Sequence, residues 1–300
     1  MTSAGSWESI IIEGSVLVLA ALSLFLSWWS ARVGSPVLAI MGRWVRWIFI
    51  STLIGGALHF LGWTGYSFPV LFLVAALTWF MIETVYNWLA ISALSKSDLP
   101  LFPKFEENER GDEWPTNHTF IKLKDWLRKS GFQKKQALIS NLDDQVLMRL
   151  SVYENEDQTI RLQLLLLPNA RGNTAACCTY FSVTKAGNVI VTDNIFLPFG
   201  GFYPENWSVE RSPWNRSAAR LFKRHQERID AFNESLMPFV LTPLEQINED
   251  QQEVEQLNRD LGFLNPRSEE AELGRLTPAG RARIWQEVWT LSYLGLPLRY

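Results

Sequence analysis

The stretch from Phe68 to Ala93, FPVLFLVAALTWFMIETVYNWLAISA, carries one charged residue, Glu83. At about 1.5 Å per residue, a helix of this length crosses a hydrocarbon core roughly 30 Å thick. Two more apolar runs precede it, at about 10–30 and 47–63. Glu8 just before the first and Glu13 within it, with no Lys or Arg, make it read as an uncleaved helix and not as a signal peptide. Residues 1–95 are therefore expected to form a domain of three transmembrane helices.

Basic residues set the expected orientation. Arg32, Arg43 and Arg46 lie between the first two runs, and Lys96 and Lys104 follow the third. The N-terminus and the second link, TGYS, have none. The positive-inside rule places the N-terminus and the second link outside and residues 96–300 on the cytoplasmic side of a cell inner or plasma membrane. Trp28, Trp29, Trp44, Trp47 and Trp88 would mark the inner interface, Trp7 and Trp63 the outer one.

Within the spans, Ser51, Thr52, Gly55, Gly56 and His59 share one side of the second helix, as close helix packing requires. Counting inward from the outer ends, Arg46 and Glu83 reach nearly one depth, about 24 and 22 Å along their helices. An acid in the membrane is costly unless paired, so Arg46 and Glu83 are expected to form an intramembrane pair.

Residues 96–116 read as a linker, with two prolines and the acidic cluster EENERGDE. An α+β domain is expected over 117–240. FIKLKDWLRKSG puts Phe120, Leu123, Trp126 and Leu127 on one helical face and stops at Gly131. Its other face offers Lys122, Lys124, Arg128 and Lys129 as candidate membrane-surface contacts. From Gln136 to Ile195 the period falls to two. Five runs separated by NLDD, ENED, PNARGN and TKAG predict an antiparallel meander flanked by helices. The loop LPFGGFYPENWSVERSPW offers Phe199, Phe202, Tyr203 and Trp207 as a candidate partner patch, or as rings folded over the end of the sheet. Ser212-Pro213 reads as the start of a helix whose apolar stripe includes His225, expected as a satisfied core histidine.

Residues 241–300 are expected to be a helical subdomain. Thr242-Pro243-Leu244-Glu245 is a capping-box pattern. Further on, LGFLNPRSEEAELGRLTPAGRARIWQEVW resembles the wing of winged-helix regulators of the multiple-antibiotic-resistance type: strand, polar tip, strand, then LTxxG opening a helix. That resemblance implies a winged-helix-like subdomain. The helix before it departs from the pattern, because Glu245, Glu249, Glu253 and Glu255 would repel phosphate. No nucleic acid is expected as a partner, in keeping with 25 Lys/Arg against 28 Asp/Glu outside the first 95 residues (28 − 3 and 31 − 3).

Catalytic signatures are sparse. There is no P-loop, GxGxxG, GxSxG or HExxH pattern, and His59, His118 and His225 fall in three separate segments. Cys177 and Cys178 are adjacent in a strand, pointing to opposite faces, so neither a disulfide framework nor metal spacing is available. No cofactor is called for. Asp143, Asp144 and Asp193 could converge in space, which keeps an enzyme at the membrane surface as an alternative. The leading expectation is a membrane-tethered interaction or regulatory protein with membrane lipids and a cytoplasmic protein, or a second copy, as partners. A membrane-bound transcriptional regulator is the second alternative.

Overall fold

A computed structural model describes residues 4–62, 65–110, 114–116, 118–143, 146–168 and 174–298. Trp63, Asn117, Asp144 and residues 111–113 of the acidic cluster lie outside the described residues, as does the side chain of Asp143. The chain divides into two compact units. The first comprises Met1–Ala93 and Ile284–Leu296, the second Leu94–Arg283 and Pro297–Tyr300.

In the first unit, α1 (Ala4–Val33), α2 (Pro36–Phe60) and α3 (Phe68–Lys96, whose last turn belongs to the second unit) are three helices long and apolar enough to cross a membrane. The second helix starts at Pro36, well ahead of its apolar run, because proline suits the first helical position and Ser35 takes the extended cap conformation. Arg43 and Arg46 therefore sit within α2. Small residues hold the helices together, as their spacing predicts. A Cβ on Gly55 would meet the Phe72 backbone nitrogen at 2.9 Å, and one on Gly56 would meet Ile12 Cγ2 at 2.8 Å. Leu17, Leu24, Leu77 and Met81 face outward, each more than 60% exposed.

The second unit is built on a sheet of eight strands: β1 (Glu106–Glu107), β2 (Gln133–Asp143), β3 (Val146–Glu154), β4 (Arg161–Pro168), β5 (Thr174–Thr184), β6 (Val189–Asp193), β7 (Trp207–Arg211) and β8 (Leu236–Met237). The first seven lie in sequence order, and β8 pairs with β5. The five predicted strands are β2 to β6, all antiparallel. The aromatic loop holds a further strand, β7, which runs parallel to β6. Residues 194–206 supply the long connection that parallel pairing needs.

Helices cover both faces. Phe120 and Leu127 of α4 (His118–Lys129) and Leu221 of α5 (Ala218–Phe232) pack with Leu162, Leu164 and Tyr180 on one face. On the other, Ile247 of α6 (Pro243–Asp260) packs with Phe105, Leu138, Leu150 and Val152. Neighbouring residues of β3, such as Val152 and Tyr153, thus serve opposite cores, as the period of two demands. Phe105 from the linker and α6 from the tail complete the second core, so both belong with the sheet.

Local signals decide the helix ends. The Thr242–Glu245 capping box forms in both directions. The start of α5 differs from expectation: Ser217, not Ser212, caps it. Ser212 instead turns back onto the sheet, its N–H donating to the Asp193 carbonyl at 2.7 Å, and Asn215 N–H closes a turn on the Ser212 carbonyl at 3.0 Å. The expected wing reduces to one antiparallel bridge, Leu264–Leu276, with the four-residue helix α7 (Glu270–Leu273) at its tip. Thr277 Oγ1 then accepts from Gly280 N at 3.0 Å to open α8 (Pro278–Trp289). Gly280 is required there, since a Cβ would come within 2.2 Å of the Phe263 carbonyl oxygen.

Candidate functional site

The polar constellation of the first unit is assembled from opposite ends of the sequence. The last turns of α8 pass into a π-helical turn, Thr290–Leu294, which packs on α2. Leu291 and Tyr293 are buried there, and Gly295 ends the turn in the left-handed conformation. Three contacts seat Tyr293. Its hydroxyl donates to Glu83 Oε2 of α3. Its carbonyl accepts from Trp44 Nε1 at 2.9 Å. Its ring stacks on Trp289 with centroids 4.8 Å apart, and Trp289 in turn meets Phe80 at 5.0 Å.

Charge surrounds this phenol. The Arg43 guanidinium carbon lies 5.6 Å from the Tyr293 ring centroid. Burial pushes the phenol pKa up and Glu83 adds to that, while Arg43 and Arg46 pull it down. Tyr293 thus keeps its hydroxyl proton as the donor of this bond. Sequence reasoning paired Glu83 with Arg46. The structure gives Glu83 a hydroxyl partner and places Arg46 on an exposed position of α2, within the same electrostatic neighbourhood. Tyr293 itself was missed. The available signal was the spacing of Trp285, Trp289 and Tyr293 at four-residue intervals, which puts three aromatic rings on one helical stripe.

In the second unit several buried titratable groups are spent on the sheet itself. His225 is fully buried, with Ser182 Oγ 3.1 Å from Nε2 and Thr192 Oγ1 2.9 Å from Nδ1. Burial first, and Arg228 second, lower its pKa to about 3, so the ring is neutral. It is a satisfied core histidine, as expected. Arg228 bonds Val191, Thr192 and Ser208. Asp193 is paired to Arg211 at 3.2 Å and accepts from Ile195 N at 2.9 Å. Arg161 reaches Glu154 at 2.7 Å and the Leu241 carbonyl at 3.1 Å, although its Nη1 has no hydrogen-bond partner. Burial pushes the Cys178 thiol up to about 12 and Cys177 up to about 11, so neither is a ready nucleophile.

The remaining sequence candidates separate. Lys122, Lys124, Arg128 and Lys129 are exposed on α4, with Lys124 Nζ 5.8 Å from the Trp114 ring. Phe199, Phe202, Tyr203 and Trp207 are half-buried. Tyr203 stacks between Phe199 at 5.1 Å and Trp207 at 6.0 Å, while Phe202 abuts Phe263. The buried Asn258 of α6 clamps this loop, exchanging 2.8 Å hydrogen bonds with both backbone groups of Phe202. Arg283 bonds the Gly200 carbonyl at 2.7 Å and lies 4.0 Å from the Phe202 ring centroid. Among the described residues, no group of three or more His, Cys, Asp or Glu could hold a metal ion.

No family model, curated protein or solved structure matches the chain.

Proposed function

We propose that this is an integral membrane protein whose sheet unit is held in the cytoplasm and serves as an interaction or regulatory module. The observation that carries the reading is the Tyr293–Glu83 bond, which returns the C-terminal segment to helices built for lipid. Large apolar side chains stand exposed along α1, α2 and α3, far more than a water-facing surface carries. The segment Ile284–Leu296 meets the Arg43–Trp47 end of α2, the end that the positive-inside rule assigns to the cytoplasm. A cytoplasmic C-terminus and an outside N-terminus agree with that placement.

A binding role rather than a catalytic one is supported by the saturated groups of the second unit. His225, Arg228 and Asp193 spend their polar atoms on the sheet, while the clamped rings of Phe199, Phe202, Tyr203 and Trp207 keep part of their surface open to a protein partner or second copy. Arg46 and Glu83 attract each other in this reading, and Lys122, Lys124, Arg128 and Lys129 face the anionic leaflet.

Reporter fusions test the topology: a reporter after Tyr300 is expected to be active only in the cytoplasm, and periplasmic or extracellular activity there contradicts the reading. A charge-swap series tests the attraction. Arg46→Glu and Glu83→Arg are each expected to lower stability in detergent and the double swap to restore it; a merely additive double swap removes the pairing.

A further inference from the structure

The end of the first unit that holds Tyr293 carries more positive charge than the protein neutralises. Arg43 and Arg46 are three residues apart on α2 and so share a face. Arg43 spends its guanidinium on the π-face of Tyr293, which leaves its N–H edge unspent. Arg46 is exposed, and a guanidinium has five donors, so attraction to Glu83 leaves others unused. Glu83 already accepts from Tyr293. Around the two arginines stand Trp44, held by the Tyr293 carbonyl, and Trp47, rings suited to the headgroup level of a bilayer.

Depth fits as well. From Phe60 inward, Arg46 and Arg43 lie about 21 and 25 Å along α2, just short of the inner boundary of a core roughly 30 Å thick. A side chain of this length extends from there to the phosphate plane.

We propose that Arg43 and Arg46, with the returning Tyr293 segment as one wall, form a binding site for the phosphate of an anionic phospholipid of the inner leaflet. The guanidinium forks donate to phosphate oxygens, with Arg43 over the Tyr293 ring and that ring packed edge-on against Trp44.

The proposal rests on the membrane reading above. The test is native mass spectrometry of the full chain, purified in mild detergent and supplied with phosphatidylglycerol or phosphatidylcholine. Wild type is expected to retain phosphatidylglycerol in preference. Arg46→Gln should weaken that preference about fivefold, and Arg43→Gln with Arg46→Gln should remove it. Arg46→Lys keeps the charge and should keep most of the preference, which separates charge from misfolding. Lys185→Gln with Lys223→Gln, both exposed in the second unit, should leave it unchanged. Equal retention of both lipids by wild type, an unaffected double arginine variant, or loss in the lysine variant would each overturn the site. Full displacement of lipid by inorganic phosphate would assign it to a free anion instead. A chain that stays monodisperse without detergent overturns the membrane reading itself; one that needs detergent yet shows no lipid preference overturns this proposal alone.

Discussion

The two units find partners for their buried polar groups over different ranges. In the sheet unit, His225 has a hydroxyl at each ring nitrogen, and those hydroxyls come from β5 and β6 of its own sheet. In the helical unit, Glu83 accepts from a residue 210 positions away, and the indole N–H groups of Trp47, Trp285 and Trp289 find no acceptor. A buried donor without a partner costs about 1–3 kcal/mol. The contrast is one of range: the sheet unit closes His225 with neighbours from its own sheet, although Arg161 Nη1 there also lacks a partner, whereas the C-terminal segment of the helical unit is held by ring packing and a few distant bonds. The closed unit should respond to pH and to core truncation, the open one to lipid and to single hydrogen bonds.

The largest expected effect sharpens the closed side. His225 titrates near 3 when folded and near 6.5 when unfolded, because burial penalises the charged ring. Between those values the unfolded chain binds more protons, so stability rises with pH and is lost as pH falls from 6.5 toward 3. The loss attributable to this group reaches about 5 kcal/mol. Asp250, raised to about 6 chiefly by burial, works in the opposite sense above its unfolded value. The comparison is therefore wild type against His225→Gln in urea unfolding at several pH values: the variant should show a flatter slope, and an unchanged slope breaks the account of His225.

Next in size is Leu164→Ala. Leu164 is fully buried between β4 and the helices α4 and α5, so its loss should cost about 2–5 kcal/mol. Hydrogen exchange of β4 and β5 in the full chain reads that loss. A change confined to the helical unit would contradict the division into two units. Gly55→Leu probes the helical side. The new side chain meets the Phe72 backbone, and overpacking of this kind costs about 1–3 kcal/mol. Gly14→Leu, with no heavy atom within 4 Å of its added Cβ, is the matched control and should be neutral. Equal behaviour of the two variants in detergent would mean that α2 and α3 do not pack at Gly55.

Tyr293→Phe should have the smallest effect, about 0.5–1.5 kcal/mol on the seating of the tail, the usual net worth of one hydrogen bond. Faster hydrogen exchange of residues 284–296, with β4 and β5 unchanged, is the expected signature.

How much of this was legible follows from the range of each interaction. Three apolar helices, five strands and the Thr242 capping box depend on neighbours within a few residues, and their patterns are plain in the sequence. The β7 strand was hidden because Trp207–Arg211 owes its conformation to pairing with β6, not to its own alternation. Ser217 displaced Ser212 as a cap because Ser212 bonds the Asp193 carbonyl, a contact no local pattern announces. Tyr293 is the extreme case. Its spacing with Trp285 and Trp289 marks a helical stripe, but the α2 and α3 groups that receive it lie at the other end of the chain.

The most direct test of the central claim places a nitroxide at Leu294→Cys in the full chain reconstituted into lipid. Leu294 is 55% exposed beside Tyr293, and the label goes into a background with Cys177→Ser and Cys178→Ala, since Cys177 is only half-buried. If the C-terminal segment lies in the membrane interface, the label should be more accessible to oxygen than to a water-soluble nickel chelate. A label at exposed Glu205 should show the reverse. Chelate-dominated relaxation at position 294, matching position 205, would contradict the return of the chain to the membrane.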